Sequence, residues 1–202
     1  LGERYRHVSV FLDEPGLSQI AAGLIASTGW RHLEMVGCTS VSAQIACFLH
    51  LIVTGLKSQQ SSERRQLSLQ ISAALEPSVV EKLTATLSTL LENDTPIDVT
   101  GVQIKAPMVQ PLAQFLRANP CLQRLSLDLR DDMAGQCASQ VLSLLEDCAS
   151  QPGGLFLQGL GADMDYARLA ALLAVRPSIR SLSLAGKIPE GTPGYPLLSS
   201  LL

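Results

Sequence analysis

The sequence predicts an α/β fold made of repeated strand–helix units, with a parallel sheet on one side and helices on the other. Three observations favour this fold class. The 202-residue chain is rich in Leu and Ala but only 4% aromatic, a composition that suits many thin, similar packing layers. Short apolar runs with strand-like alternation recur about every 29 residues. Between these runs, apolar residues recur with helical spacing.

Seven strands are predicted from the short runs, in which apolar residues alternate with other residues. The runs begin at Val8, Leu33, Leu67, Ile97, Leu125, Leu155 and Leu182. In each run the middle residue points to the opposite face of the sheet from its two apolar neighbours. Seven recurrences at nearly constant spacing therefore predict seven equivalent layers of one core.

Six helices are predicted between the strands, because apolar residues recur there at i, i+3, i+4 and i+7. The stripes begin at Leu17, Ile45, Leu83, Leu112, Val141 and Leu169. Pro77 is expected in the first turn of the third helix. Gly29, Gly55 and Asn93 are expected to end the first three helices.

The spacing between the second and third strands is the longest, 34 residues from Leu33 to Leu67. Its last part, residues 57–65, is polar, which predicts a protruding loop there. Parallel strands lie about 4.8 Å apart, whereas helices are about 10 Å wide. This mismatch predicts a horseshoe arc, a solenoid with the sheet on the concave face and the helices on the convex face.

A family resemblance rests on the segments from Cys121 to Leu127 and from Ile179 to Leu184. Both resemble the LxxLxL core of leucine-rich repeats, and the period and the full helix per repeat resemble the ribonuclease-inhibitor-like class. The resemblance extends from about Tyr5 to Leu184 and is strongest in the fourth to seventh units. It implies that residues 1–202 form a single leucine-rich-repeat domain, which we expect to be a fragment of a longer protein.

The chain departs from this family at one repeated position. Three residues after the second apolar strand residue, the family usually has Asn or Cys, whose side chain holds the backbone of the turn. Here the position is held by Asp13, Cys38, Ser72, Val102, Arg130, Leu160 and Lys187. Only Cys38 conforms, so irregular turns are expected. Divergent arrays of this kind resemble the repeat domains of some bacterial type III effectors.

Two columns of residues are expected on the concave face. The central column is Ser9, Glu34, Ser68, Asp98, Ser126, Phe156 and Ser183. The next column is Phe11, Val36, Gln70, Thr100, Asp128, Gln158 and Ala185. A mainly polar face with a few aromatic side chains is suited to bind a protein partner, and a solvated strand face is the alternative.

A row of arginines at one rim of the sheet gives a second hypothesis. Arg31 and Arg65 occupy equivalent positions before neighbouring strands and are suited to clamp carboxylates or phosphates. The alternative is that Glu34 and Glu63 already pair with them. The candidate partner-binding residues are Phe11, Glu34, Asp98, Asp128, Phe156, Gln158, Arg31 and Arg65.

The sequence offers weak signs of catalysis or metal binding. His7 and His32 are expected side by side, but a metal site would need a third ligand, and only Cys38 and Asp13 are near by register. Cys47 and His50 share a helix face, where packing explains them as well as catalysis does. We therefore predict no enzyme activity, no catalytic residue, no metal and no cofactor.

Glycines and acids near the sixth strand are interpreted as parts of the repeat. Gly153-Gly154 and Gly159-x-Gly161 do not match a phosphate loop and fall where the repeat needs turns. Asp163 and Asp165 are expected to cap the following helix.

Charge and cysteine content limit the possible partners and the compartment. The net charge of -3 argues against a nucleic-acid partner, and the longest apolar stretch is too interrupted for membrane insertion. The five cysteines show no CxxC pair. Buried thiols in a reducing compartment are expected, which is the cytoplasm or, for an effector, the host cell.

The predicted function is protein–protein interaction with a partner that the sequence does not identify. The concave sheet and adjacent loops are the expected binding surface, and the resemblance suggests a bacterial effector that acts on host proteins. Two alternatives stay open. One is a substrate-recruiting repeat domain of an enzyme such as a ubiquitin ligase, and the other is the sensor region of a NOD-like innate-immune receptor.

Overall fold

A computed structural model describes most of the chain. The described residues are 7–12, 16–27, 29–37, 42–59, 63–71, 75–92, 95–130, 136–147, 152–187, 191 and 196. The chain divides into two compact units, Leu1–Val102 and Gln103–Leu202.

Strands and helices alternate in both units. The first unit contains β1 (His7–Phe11), α1 (Leu17–Ala26), β2 (His32–Gly37), α2 (Ser42–Ser58), β3 (Arg65–Ile71) and α3 (Pro77–Leu90). The division between the units falls within β4 (Ile97–Lys105). The second unit continues with a short 3-10 turn (Ala106–Met108), α4 (Val109–Ala118), β5 (Arg124–Asp128), α5 (Gln136–Asp147), β6 (Gly154–Leu160), α6 (Tyr166–Ala174) and β7 (Ser181–Gly186). The seven strands and six helices predicted from the repeat are all confirmed.

The strands follow one another in the sheet in chain order, from β1 to β7. In the first unit, Leu33 of β2 pairs with Val8 of β1 and with Leu67 of β3, in parallel. In the second unit, Leu155 of β6 pairs with Leu125 of β5 and Leu182 of β7. The predicted alignment of the repeats is therefore the observed register of these strands.

Each unit has its own apolar core between strands and helices. In the first unit, Leu33 and Leu67 of the strands and Leu49 and Leu83 of the helices are fully buried. In the second unit, the equivalent core includes Leu125, Leu155, Leu112 and Leu169. Burying these side chains is the main stabilising contribution, because each removes a large apolar area from water.

Gly55 does not end the second helix, and this prediction was wrong. Helix α2 continues through Ser58. A Cβ atom at Gly55 would overlap with the side chain of Ile25 in α1, so glycine allows the two helices to approach closely. Packing against a neighbouring helix has overridden the local signal for a helix end.

The extended α2 also corrects the predicted loop over residues 57–65. The helix takes up residues 57 and 58, and β3 already begins at Arg65. Residues 59–64 therefore remain as the connection, and of these 60–62 lie outside the described residues. Much of the extra length in this repeat is helix.

Other predicted helix ends and caps agree with the structure. Pro77 is the first residue of α3, and Gly29 follows α1. Asp165 caps α6, because its carboxylate accepts a hydrogen bond of 2.9 Å from the backbone N–H of Arg168. Asn93, the predicted end of α3, lies outside the described residues. Asp163, the other predicted cap of α6, lies in the turn before that helix.

The position where the family usually has Asn or Cys is occupied differently in the described turns. Val102 and Leu160 are buried strand residues there. The pairing of β6 with β7 shifts between Gln158 and Leu160, where Gly159 has a φ of 78°. The expected irregularity is confirmed at this turn, whereas Asp13, Cys38 and Ser72 lie outside the described residues.

None of the described helices is both long and apolar enough to cross a membrane. This agrees with the absence of an uninterrupted apolar stretch in the sequence.

Candidate interaction surface on the sheet

The exposed sheet face consists of the strand residues that alternate with the core residues. In the first unit, Ser9 pairs in register with Glu34, and Glu34 pairs with Ser68. In the second unit, Phe156 pairs with Ser126 and Ser183. Within these strands the predicted central column is therefore continuous, because parallel pairing keeps equivalent residues side by side.

The second predicted column follows the same register but is unevenly accessible. It pairs Phe11 with Val36 in the first unit and Asp128 with Gln158 in the second. Phe11 is 51% exposed, whereas Val36 and Thr100 are buried. Ser126 of the central column is buried as well. Fewer residues of this face are accessible than the sequence predicts, because Val36, Thr100 and Ser126 are covered by neighbouring atoms.

Glu34 is held in place by polar neighbours on β1. The Ser9 hydroxyl donates a hydrogen bond of 2.8 Å to Oε2 of Glu34. Nε2 of His7 lies 3.2 Å from Oγ of Ser9 and 3.6 Å from the same Glu34 oxygen. A carboxylate fixed in this way is preorganised for binding, because less side-chain freedom is lost when a partner docks.

His7 and His32 lie side by side, as predicted. Their ring centres are 4.7 Å apart, and Nε2 of His32 lies 2.8 Å from Oγ of Ser68. Burial lowers the pKa of His32 below its usual value, and the positive charge of His7 lowers it further. At neutral pH the His32 ring is therefore favoured in its neutral form.

Sequence reasoning missed the contact between His32 and Ser68. The two residues are diagonal neighbours on adjacent strands, since His32 pairs with Gln66, two residues before Ser68. Such diagonal pairs are within reach of long side chains, so the contact could have been predicted from the strand register.

A hydroxyl beside an imidazole is also found in nucleophilic sites, but there a third group, usually a carboxylate, orients the imidazole. Here Gln66, which is neutral, hydrogen-bonds His32.

Asp98 is paired with a neighbouring arginine within the first unit. Its carboxylate accepts a hydrogen bond from Nη1 of Arg64. The Asp98 side chain is largely covered, whereas that of Arg64 is open to solvent. The predicted carboxylate at this position is therefore largely covered, and Arg64 is the more accessible half of the ion pair.

Arg31 forms a bidentate ion pair with Glu63. Nη1 of Arg31 donates to Oε2 of Glu63, and Nη2 donates to Oε1 at 2.9 Å. Both side chains are exposed. The sequence left open whether Arg31 clamps an external anion or pairs with a nearby glutamate. In the structure it pairs with Glu63, whereas Glu34 accepts a hydrogen bond from Ser9.

Arg65 does not lie at an open rim, and its expected placement on the concave face was wrong. The residue is only 2% exposed. As the first residue of β3, it lies two positions before Leu67, so its side chain points to the helix side of the sheet. The guanidinium lies over Trp30, with 4.4 Å between Cζ and the ring centre. Burial and the charge of Arg31 lower the pKa of Arg65.

Phe156 forms the aromatic part of the surface in the second unit. The Arg124 guanidinium lies over its ring, with 4.3 Å from Cζ to the ring centre. Phe156 is half-buried. A ring covered by a cation in this way has a defined orientation and offers both apolar and charged contacts.

Asp128 is bound to Arg130 at the end of β5. Nε and Nη2 of Arg130 donate to the two carboxylate oxygens at 2.9 and 2.6 Å. These hydrogen bonds hold the pKa of Asp128 below its usual value. Gln158 lies beside Asp128 in register and lines an open depression together with Arg130, Gly159 and Lys187.

The described cysteines are more accessible than predicted. Cys47 is exposed, and Cys121 and Cys137 are partly exposed. The expectation of buried thiols was therefore wrong for these three. Cys38 and Cys148 lie outside the described residues.

Among the described residues, no three His, Cys, Asp or Glu side chains are grouped closely enough to hold a metal ion. His7 and His32 stand together, and Cys38 and Asp13, which the sequence suggested as third ligands, lie outside the described residues.

Comparison of the chain with protein-family models, with curated protein sequences and with solved structures finds no match.

Proposed function

We propose that the chain is a protein-recognition module that binds a protein partner through the exposed sheet face. The observation that supports this proposal best is the alternation along the strands. Core residues of β2 are buried while the intervening His32 and Glu34 remain partly accessible, and the same alternation occurs in β6. One side of these strands therefore contributes to the core, and several residues of the other side remain accessible for contacts.

The first unit carries two side chains suited to binding. Phe11 offers an exposed ring at the end of β1, and Glu34 offers a carboxylate held by Ser9. Aromatic rings contribute much of the free energy of binding at protein interfaces. A fixed carboxylate adds selectivity for a basic group on the partner.

The second unit carries a comparable set of groups. The ring of Phe156 and the guanidinium of Arg124 form one contact element, and Asp128 with Arg130 forms another. Aromatic residues and arginine are enriched among the residues that dominate binding free energy. Each unit is therefore proposed to contribute its own contacts.

We also propose that the repeats are leucine-rich repeats of the ribonuclease-inhibitor-like class, with the exposed sheet face on the concave side. The strand–helix alternation and the parallel pairing in chain order support this proposal. The effector role and the recruiting and sensor alternatives remain predictions from the sequence resemblance.

A quantitative pull-down from host and self lysates tests the recognition surface. Phe11→Arg tests the first unit, and Phe156→Arg and Asp128→Arg together test the second. Ala85→Arg in α3 and Gln114→Arg in α4 are matched controls, because both residues are exposed on helices. We expect a partner that is lost at least tenfold with a sheet-face variant and retained with the controls, since a central contact contributes about 1.4 kcal/mol or more.

Equal recovery of every partner by all variants would contradict this proposal. In that case binding by the helices or the loops would have to be considered instead. Circular dichroism spectra of each variant establish that the comparison is made between folded proteins.

A further inference from the structure

The buried guanidinium of Arg65 has a feature that recognition by the sheet face does not explain. Its Nε and Nη1 atoms are buried and have no hydrogen-bond partner. Buried charges in proteins are normally paired, since an unpaired charge removed from water is strongly unfavourable. The ring of Trp30 stabilises the cation from one side, but a ring provides no acceptor for N–H groups.

The neighbouring arginines each have a carboxylate. Arg31 is paired with Glu63, and Arg64 is paired with Asp98. The charge of Glu63 acts on Arg65 as well, but Nε and Nη1 of Arg65 donate no hydrogen bond to it. A further oxyanion would supply acceptors to these two donors.

We propose that Arg65, together with Arg31, forms a binding site for a single oxyanion, which is a carboxylate or a phosphate group. The backbones of the two arginines run side by side, because the carbonyl of Arg31 accepts a hydrogen bond of 2.8 Å from the N–H of Gln66. Guanidinium groups bind such anions with paired N–H donors. An oxyanion between them supplies acceptors to the donors of Arg65.

Trp30 positions the Arg65 guanidinium for this role. The indole is itself fixed, since its Nε1–H donates a hydrogen bond of 2.8 Å to the carbonyl of Leu24. The indole and the guanidinium are both almost fully buried. A cation held in this way is preorganised, so that little side-chain freedom is lost when the anion binds.

Glu63 is the competitor that the anion must displace from Arg31. The Arg31–Glu63 pair is exposed on both sides, and exposed ion pairs stabilise proteins only slightly. An unpaired buried cation is considerably more unfavourable. Glu63 also acts on Arg65 through its charge, but it leaves Nε and Nη1 of Arg65 without an acceptor. An external oxyanion that reaches both arginines therefore adds contacts that Glu63 does not make.

NMR spectra of the arginine Nε–H groups of the whole chain test this site directly. Sodium phosphate and sodium acetate are titrated separately against sodium chloride at equal ionic strength and pH 7. We expect a saturable shift of the Arg65 signal with at least one anion. Saturation by phosphate alone identifies a phosphate site, and saturation by acetate identifies a carboxylate site.

Three variants complete the test. Arg65→Met assigns the signal and is expected to abolish binding while the protein stays folded, because replacing a buried unpaired charge by an apolar side chain is tolerated. Arg64→Met, at the adjacent exposed arginine, is expected to leave binding unchanged. Glu63→Gln is expected to tighten binding roughly two- to fivefold, the factor that an exposed ion pair contributes.

The proposal is overturned if the wild-type Arg65 signal does not move with either anion. It is also overturned if phosphate raises the melting temperature of the wild type and of Arg65→Met equally, because that would be a general salt effect. The wild-type titration decides the question even if Arg65→Met fails to fold. Neither result depends on whether the sheet face binds a protein.

Discussion

Neighbouring parallel strands bring together side chains that are far apart in the sequence, and His7 and His32 illustrate this. Their rings lie 4.7 Å apart because the register pairs the two residues directly. Proximity has a chemical consequence, since burial and the neighbouring imidazole both disfavour the charged form of His32. A titratable pair of this kind makes the stability of the first unit depend on pH.

The lowered pKa of His32 predicts that the protein loses stability in mild acid. Above pH 6.5, the usual value for histidine, the ring is neutral in both the folded and the unfolded chain. As the pH falls below this value, the unfolded state takes up a proton first, so the free energy of unfolding decreases. His32→Asn is expected to weaken this decrease, as measured by urea unfolding between about pH 5 and 8.

His50 provides the control position for this experiment, because it is exposed on α2. His50→Asn should leave the wild-type pH dependence in place. An equal pH dependence in the wild type and in His32→Asn would show that other groups cause the acid sensitivity.

Glycine has two different effects in the first two helices. Gly55 lies where α2 packs closely on Ile25 of α1. Gly23 lies within α1, and a Cβ atom there would have nothing within 4 Å. The intrinsic preference against glycine is the same at both helical positions, so the difference between them comes from packing.

Replacing each glycine by alanine is therefore expected to have opposite effects on stability. Gly23→Ala should raise the free energy of unfolding by about 0.5–1 kcal/mol, because alanine is the better helix former. Gly55→Ala should lower it by about 1 kcal/mol, since the added methyl group forces the half-buried Ile25 of α1 to move. Urea unfolding of both variants measures the difference.

A stabilising effect of Gly55→Ala would contradict the close-packing explanation. In that case Ile25 would have to adopt another rotamer at little cost, and Gly55 would be explained by neither packing nor a helix end. Gly55→Val distinguishes the cases further, because a larger side chain has less room for such an adjustment.

At the scale of the whole molecule, stability is distributed over repeated layers. Each strand hydrogen-bonds to the next along the chain, and each compact unit has its own buried core. In repeat proteins, stability is approximately a sum of contributions from individual repeats and their immediate neighbours. A local defect is therefore expected to affect nearby layers more than distant ones.

The single tryptophan makes this prediction measurable. Trp30 lies in the first unit and is 2% exposed, so its fluorescence reports unfolding there, whereas far-UV circular dichroism reports all helices and strands. Gly55→Ala is expected to shift the urea midpoint of fluorescence more than that of circular dichroism. Identical shifts of both signals would instead indicate one cooperative transition for the whole chain.

Most of the architecture was predictable from the sequence, because the repeat presents the same signals many times. The strand runs and the helical stripes each appear at nearly constant spacing, so chance agreement in one repeat is outweighed by the others. The register of Leu33 with Leu67 follows from this alignment. The columns that contain Phe11, Glu34 and Phe156 follow from it as well, although whether they bind a partner stays a prediction.

The errors occurred where a single residue had to be judged by itself. Gly55 was interpreted as a helix end from a general preference, but the packing of α1 against α2 decided otherwise. Arg65 was placed at an open rim from its position two residues before Leu67, although that position puts its side chain on the helix side, where it is buried. The accessible cysteines were assigned to the core from the average behaviour of thiols.

The sequence by itself determined the period, the order of the elements and which strand residues share a face, since these depend on the alternation of apolar residues along the chain. Only the tertiary structure decided how these residues are paired. It joined Arg31 to Glu63 and left Nε and Nη1 of the buried Arg65 without an acceptor. The reason is physical: periodicity specifies the direction in which a side chain points, whereas its charge partners and its burial depend on atoms that other repeats supply.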